Sequence, residues 1–182
     1  MTQSRAETGR LTALAVLCAM ALAVQYLESL LPTLVPGVPI RIGLANVFVL
    51  FALLRMRRSD AVWIALVKVL ILPLVTGNVS ALPYSLLGAV CSLGIMLPAL
   101  PLYRRGRIGA VGLSALGAFC FNVGQLAVGC VLIGRAMLVY FPWLGVLSIP
   151  AGIATGLIAE LLSRRIPKRL ICSQPENTDI QQ

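Results

Sequence analysis

Two ionisable side chains lie inside long apolar runs of the sequence, where a charge is costly unless it is paired or has a function. Glu28 lies near the end of the first run, and Lys68 lies near the centre of the third. A buried ammonium group can bind an anion, and a nearby carboxylate can orient it or contact the same ligand. Two interpretations follow: the two residues line an outward-facing polar cavity, or they form one structural ion pair that fixes helix packing.

Amide and hydroxyl side chains form a second polar set within the apolar runs. Asn122 and Gln125 are three residues apart, so they share a helix face, and Ser85 and Ser92 share another. Such groups often only hydrogen-bond one membrane helix to another. Their presence together with Lys68 favours a binding pocket for a small, anionic or amphipathic molecule.

The elements that must position these residues are predicted from composition. Of 182 residues, 59% are hydrophobic and only 12% are charged, with a mean hydropathy of +0.94. A soluble domain is nearer half apolar and a quarter charged, so we expect an integral membrane protein. Six apolar runs predict an all-α, six-helix transmembrane bundle, with the second and third runs shorter than the roughly 20 residues of a typical span. The runs cover residues 11–31, 40–54, 61–75, 81–102, 108–134 and 142–162.

Charge placement predicts the orientation of this bundle. The clustered Lys and Arg residues fall in the N-terminal tail, in alternate loops and in the C-terminal tail, whereas the opposite side has only Arg41 and Arg135. The positive-inside rule then places both termini in the cytoplasm. We expect one domain over residues 11–163, a cytoplasmic tail at 1–10, and a basic, then disordered, tail at 164–182. A cleaved signal peptide is the alternative for the first run, but its apolar stretch continues to Leu31.

The same sequence argues against several kinds of chemistry. The net charge of +9 would suggest nucleic acid in a soluble protein, but here it follows membrane topology, so we expect no nucleic-acid partner. The chain has no phosphate-binding loop and no His, and its only aspartates are Asp60 and Asp179. A magnesium site for diphosphate chemistry needs several converging carboxylates. We therefore expect no metal, no cofactor and no catalysis unless a partner supplies the residues.

Two further features concern partners and access. Ala15, Ala19 and Ala23 form a stripe of small residues on the first helix, which lets another helix approach closely, either from a partner or from within the bundle. The loop at 32–39 contains three prolines and Gly37, and it is interpreted either as a lid over the cavity or as a rigid connector.

A series of short motifs in this order resembles the Gx transporter family, which is also called heptaprenyl diphosphate synthase component I. The resemblance covers residues 11–163. Two positions differ from the family pattern: Phe121 stands where the family has His, and Lys68 where it has Arg. The motifs are Leu27-Glu28, Pro32, Pro36-Gly37, Gly43-Leu44-Ala45-Asn46, Tyr84-Ser85-Leu86-Leu87-Gly88, Ser92-Leu93 with Met96, Gly112-Leu113-Ser114-Ala115-Leu116-Gly117-Ala118 and Asn122-Val123-Gly124-Gln125-Leu126.

That family is similar to the substrate-binding (S) components of energy-coupling factor transporters. The resemblance implies a multi-pass protein of the bacterial cytoplasmic membrane, surrounded by lipid, that captures a small-molecule substrate from outside. A transmembrane T component would dock on the alanine stripe of the first helix, and paired ATPases would power the cycle. The implied substrate-binding residues, combined with those found above, are Glu28, Asn46, Lys68, Asn78, Tyr84, Ser85, Asn122 and Gln125.

Two other functions remain open. The first is a non-catalytic membrane subunit associated with isoprenoid, heptaprenyl diphosphate or quinone-linked metabolism, or with electron transfer. The second is a scaffold without a ligand, in which Glu28 and Lys68 can be replaced together by apolar residues at no functional cost.

Overall fold

The computed structural model describes residues 2–30 and 43–166, with side chains from residue 7 onward. These residues form six α-helices and one short 3-10 helix, and no strand occurs in the described ranges, so the predicted six-helix, all-α fold is confirmed. The elements are α1 (Thr2–Leu30), α2 (Asn46–Arg55), α3 (Arg58–Val75), α4 (Ala81–Arg104), α5 (Ala110–Leu132), the 3-10 helix (Arg135–Tyr140) and α6 (Phe141–Arg165). The proline-rich loop at 32–39 and the tail predicted to be disordered lie outside the described residues.

Within residues 2–30 and 43–166, four helical stretches are long and apolar enough to cross a membrane. Large apolar side chains are exposed along them, as expected of surfaces that contact lipid rather than water. The helix α3 is not one of the four, because it carries Arg58, Asp60 and Lys68. The stretches are Glu7–Leu30, Ala81–Arg104, Ala110–Leu132 and Arg135–Arg165.

The helix α2 is much shorter than the apolar run that predicts it. Its ten residues rise by about 15 Å, half the thickness of a typical hydrocarbon core. It begins at Asn46 rather than near residue 40, because residues 43–45 form a turn in which Gly43 has φ of 85°, a conformation that favours glycine. Every side chain from 47 to 53 is buried. The helix is therefore an interior element, packed against α1, α3 and α6.

Helices α4, α5 and α6 pack by close backbone approach. A Cβ added to Gly124 of α5 would lie 2.7 Å from the carbonyl oxygen of Leu87 in α4. A Cβ added to Gly152 of α6 would lie 2.6 Å from the Cα of Ala115 in α5. Small residues permit this approach, which is typical of helix pairs in membranes.

Arginine side chains join four helices in two pairs at one end of the bundle. Arg10 of α1 forms a two-pronged ion pair with Asp60 of α3, at 3.0 Å and 2.6 Å. Arg55, the last residue of α2, donates hydrogen bonds to the carbonyl oxygens of Ser163 and Ile166 at the end of α6. The first part of α1, the α2–α3 junction and the end of α6 therefore lie at the same end of the bundle.

Candidate substrate-binding site

Lys68 lies on the buried face of α3, near the middle of the bundle. Only 3% of the residue is exposed. Its Nζ donates a hydrogen bond to Oδ1 of Asn46, the first residue of α2, and lies 6.0 Å from the ring centroid of Phe121 on α5. That distance is at the outer limit of a cation–π contact. The ammonium group is therefore held by a neutral amide and an aromatic ring.

Glu28 lies on α1 and binds the turn that precedes α2. Its Oε1 accepts hydrogen bonds from the backbone N–H groups of Gly43 at 2.8 Å and Leu44 at 2.9 Å, and its Oε2 accepts a longer one of 3.5 Å from Ala45. Successive N–H groups at the start of a helix form a site that favours negative charge. The carboxylate thus occupies this site and fixes the start of α2, where Asn46 meets Lys68.

Glu28 and Lys68 share one cavity, although no salt bridge joins them in the part of the chain that the structure describes. In this conformation the cavity is about 10 Å³, room for roughly one water molecule. A larger ligand therefore requires the walls to separate. The cavity is lined by Gln25, Glu28, Gly43, Ala45, Lys68, Val69, Ser85 and Phe121.

Gln25 is a cavity residue that was absent from the predicted site. It is 5% exposed, and its Oε1 has no hydrogen-bond partner among the described residues. Its position three residues before Glu28 places both on one face of α1. The available signal was a polar residue inside an apolar run at helical spacing from Glu28.

The other predicted residues divide between this cavity and different surroundings. Ser85 lines the cavity with Lys68, but Tyr84 is buried against Met137, Leu126 and Leu144 in a separate apolar cluster. The remaining three amides lie elsewhere. Asn122 donates through Nδ2 to the carbonyl oxygen of Leu144 at 3.3 Å, Gln125 is fully buried in α5, and Asn78 is exposed and accepts a hydrogen bond from Ser80.

A second small cavity adjoins Gly43 and Asn46. It also has a volume of about 10 Å³. Ser114 and Thr155 contribute hydroxyl groups that hydrogen-bond to each other at 2.6 Å. Gly43 therefore lines both cavities, whereas Asn46 lines the second one and reaches Lys68 through its hydrogen bond. The second is lined by Gly43, Asn46, Leu50, Ser92, Met96, Ser114, Gly117, Ala118, Ala151 and Thr155.

Comparison with known proteins identifies a family. The family model described as "Heptaprenyl diphosphate synthase component I" matches residues 17–162. The chain belongs to this family. The resemblance found in the motifs is thus confirmed over nearly the whole helical bundle. No curated protein and no solved structure matches the chain.

The alanine stripe of α1 was predicted to let another helix approach closely. Ala15, Ala19 and Ala23 are all exposed on α1, so the stripe faces away from the bundle rather than towards another of its helices. The buried face of α1 is formed instead by Leu17, Ala21 and the two polar cavity residues. The family description names one component, which implies partner proteins.

Metal-binding residues are not clustered in the described ranges. No group of three His, Cys, Asp or Glu side chains there is arranged to hold a metal ion. Around Lys68 the described side chains provide groups for ion pairing and hydrogen bonding.

Proposed function

We propose that this chain is the substrate-binding membrane subunit of a transporter, similar to the S components of energy-coupling factor transporters. In this role it binds a small anionic molecule from outside the cell, with both of its own termini in the cytoplasm. A separate T component and separate ATPases supply the translocation pathway and the energy. The family description concerns a component of an enzyme, so the transport role is an extension beyond the family assignment.

The observation that carries the proposal is the state of Lys68. A buried ammonium group is costly in a membrane unless it has a partner or a function. Within the described residues it forms no salt bridge, because the carboxylate of Glu28 is engaged by the backbone of residues 43–45. Lys68 instead lies against a cavity and a neutral amide. An anionic ligand would supply a negative group in direct contact with the ammonium, which Glu28 does not provide.

The exposed face of α1 supports the proposed T-component contact. Ala15, Ala19 and Ala23 leave a shallow surface on which another helix can approach closely. In its most apolar window, α1 has 22% of its residues buried, against 33–44% for the other three membrane-length stretches. It is therefore the long helix with the most surface left for a partner.

The test is gentle purification of the full-length protein in detergent, followed by mass spectrometry of proteins and small molecules. We expect a T component, paired ATPases and a small anionic molecule in the preparation. A prenyl synthase or a redox subunit in their place would overturn the transport role. It would favour the alternative, a non-catalytic subunit associated with isoprenoid or quinone-linked metabolism, which the family description itself suggests.

Lys68→Met tests the ligand site itself. We expect the retained anionic molecule to fall by more than about tenfold, because loss of a charge-assisted contact worth about 1.5–3 kcal/mol removes at least that much affinity. Lys68→Arg is the conservative variant and should retain the molecule, since it keeps the charge. Arg107→Met removes an exposed positive charge and serves as the matched control. Unchanged retention in Lys68→Met, with normal expression, would contradict the site and favour a scaffold without a ligand.

A further inference from the structure

The side chain of Gln25 presents a buried acceptor that the described chain leaves unused. Its Oε1 is inaccessible to solvent and accepts no hydrogen bond, although the residue lines the same cavity as Lys68. Most buried polar groups in folded proteins are hydrogen-bonded, so an exception at a cavity requires an explanation. A methionine at this position would fill a similar volume without an unmet acceptor.

The groups around Gln25 do not supply the missing donor. The carboxylate of Glu28 only accepts hydrogen bonds, and neither the ammonium of Lys68, which donates to Asn46, nor the hydroxyl of Ser85 on the same cavity wall donates to Gln25. Val69 and Phe121 bring apolar side chains to the same wall. Among the described residues no N–H or O–H group is directed at Gln25, and the cavity beside it has room for about one water molecule, so the polar end of a ligand enters as the walls separate.

We propose that Gln25 is a substrate-binding residue, and that the ligand carries an N–H or O–H donor for its Oε1 close to the anionic group bound by Lys68. This inference rests on the proposed function, because it assumes that the cavity is the ligand site. The substrate class is then narrower than small anions in general. Hydroxy acids and other molecules with a donor beside an acidic group belong to this class. Carboxylates without a hydroxyl group, and hydroxy acids whose hydroxyl group is methylated, do not.

The test compares three small probes that share a carboxylate. Glycolate has a hydroxyl group beside the carboxylate, methoxyacetate has that hydroxyl methylated, and acetate has none. Binding to the full-length protein in detergent is measured from the rise in thermal unfolding temperature with probe concentration, at constant ionic strength. We expect glycolate to bind at least about tenfold more tightly than methoxyacetate or acetate, because only glycolate satisfies the buried acceptor.

The variants assign that preference to individual side chains. In Gln25→Met, glycolate should bind about as tightly as acetate and methoxyacetate. The affinity for acetate should stay as in the wild type. Lys68→Met should weaken the binding of all three probes. Tyr26→Leu changes the next residue of α1, whose side chain is exposed, and should leave all three affinities as in the wild type.

The outcomes separate this inference from the proposed function. Equal binding of the three probes to the wild type, still dependent on Lys68, would overturn the role of Gln25 and leave the anion site in place. A glycolate preference that persists in Gln25→Met would also overturn it. If none of the probes binds but the protein purifies with a T component and ATPases, the inferred substrate class is wrong while the transport role stands. The wild-type comparison needs no variant, so a folding defect in Gln25→Met does not remove the test.

Discussion

Helices α5 and α6 approach until Gly152 leaves no room for a methyl group beside Ala115, whereas α1 and α2 meet through the carboxylate of Glu28. The first region, α4 to α6, packs by backbone contact between small residues, with neutral hydrogen bonds between α5 and α6. The second region, α1 to α3, has an apolar core and in addition contains buried charged side chains that bind backbone and amide groups. Both arrangements allow helices to pack where water is absent. In the second region, ionic groups also line an internal cavity.

The difference indicates which part of the bundle serves as a frame and which carries the site. Close-packed glycine contacts are short-range and need no polar group, so they suit an apolar frame in lipid. Buried polar groups are costly there, and their concentration around Lys68 favours a functional reason for keeping them. The helix α2 belongs to the second region because its N-terminus lies inside the bundle and needs an acceptor for its N–H groups.

Removing the carboxylate that binds the start of α2 should have the largest effect on stability. Glu28→Ala leaves the N–H groups of Gly43 and Leu44 without their acceptor, at a total cost of about 3 kcal/mol. This corresponds to a fall of roughly 10 °C in unfolding temperature for a chain of this size. The temperature can be followed by tryptophan fluorescence in detergent.

Two further variants control for charge and for shape at this position. Glu28→Gln keeps one acceptor oxygen and should lose about a third as much stability. Glu160→Ala removes a carboxylate from a pair with Arg164 at the surface end of α6, and it should change stability by less than about 0.5 kcal/mol. If Glu28→Ala unfolds at the wild-type temperature, the carboxylate does not hold α2, and the contrast between the two regions fails.

The glycine contacts of the other region should be disrupted by a single methyl group. Gly152→Ala places a Cβ against the backbone of Ala115, which cannot move without separating α5 from α6, so we expect a loss of about 2 kcal/mol. Gly145→Ala lies in the same helix with nothing within 4 Å of the added Cβ. It should be neutral or stabilising by up to about 1 kcal/mol, since alanine favours helix more than glycine does. Equal effects of the two substitutions on unfolding temperature would mean that close approach does not hold this region.

The helices themselves were predictable because each apolar run is an independent signal. For five of the six predicted runs, the ends agree with those of the helix to within a few residues, with one exception. The exception is the start of α1, which begins at Thr2 rather than at residue 11. The other differences have identifiable causes. The helix α2 begins late because Gly43 turns the chain and Glu28 binds that turn, which is a tertiary contact. Gly134, with φ of 112°, ends the fifth run and allows the 3-10 helix to form.

The site was predictable in its residue types but not in its pairing. Lys68 and Asn46 were both candidates, and their hydrogen bond depends on the position at which α2 starts. The prediction treated Glu28 and Lys68 as possible ion-pair partners because periodicity says nothing about backbone N–H groups that compete for a carboxylate. Gln25 was missed because one amide within an apolar helix resembles an ordinary packing residue. Only the cavity beside it distinguishes the two.

The ion pair between α1 and α3 should give the smallest of the three effects, because it lies at one end of the bundle with Arg10 a quarter exposed. Arg10→Met leaves the carboxylate of Asp60, which is 1% exposed, with one backbone donor at 3.2 Å from Arg57. We expect a loss of about 1.5 kcal/mol, below the 3–5 kcal/mol typical of breaking a fully buried pair, since water reaches the site. Unfolding temperature in detergent again measures it.

The double variant Arg10→Met/Asp60→Leu shows whether this pair contributes charge compensation or helix geometry. If the cost of Arg10→Met is that of an uncompensated carboxylate, removing Asp60 as well should recover at least half of the lost stability. If the double variant is less stable than Arg10→Met alone, the main role of Asp60 is to accept the N–H of Arg57 at the start of α3. In that case the charges at this end support a helix terminus, as Glu28 does at the start of α2. In the second region, α1 to α3, the buried carboxylates would then serve mainly to bind backbone N–H groups. Among the described residues, Lys68 would be the one buried charge in that region without such a role.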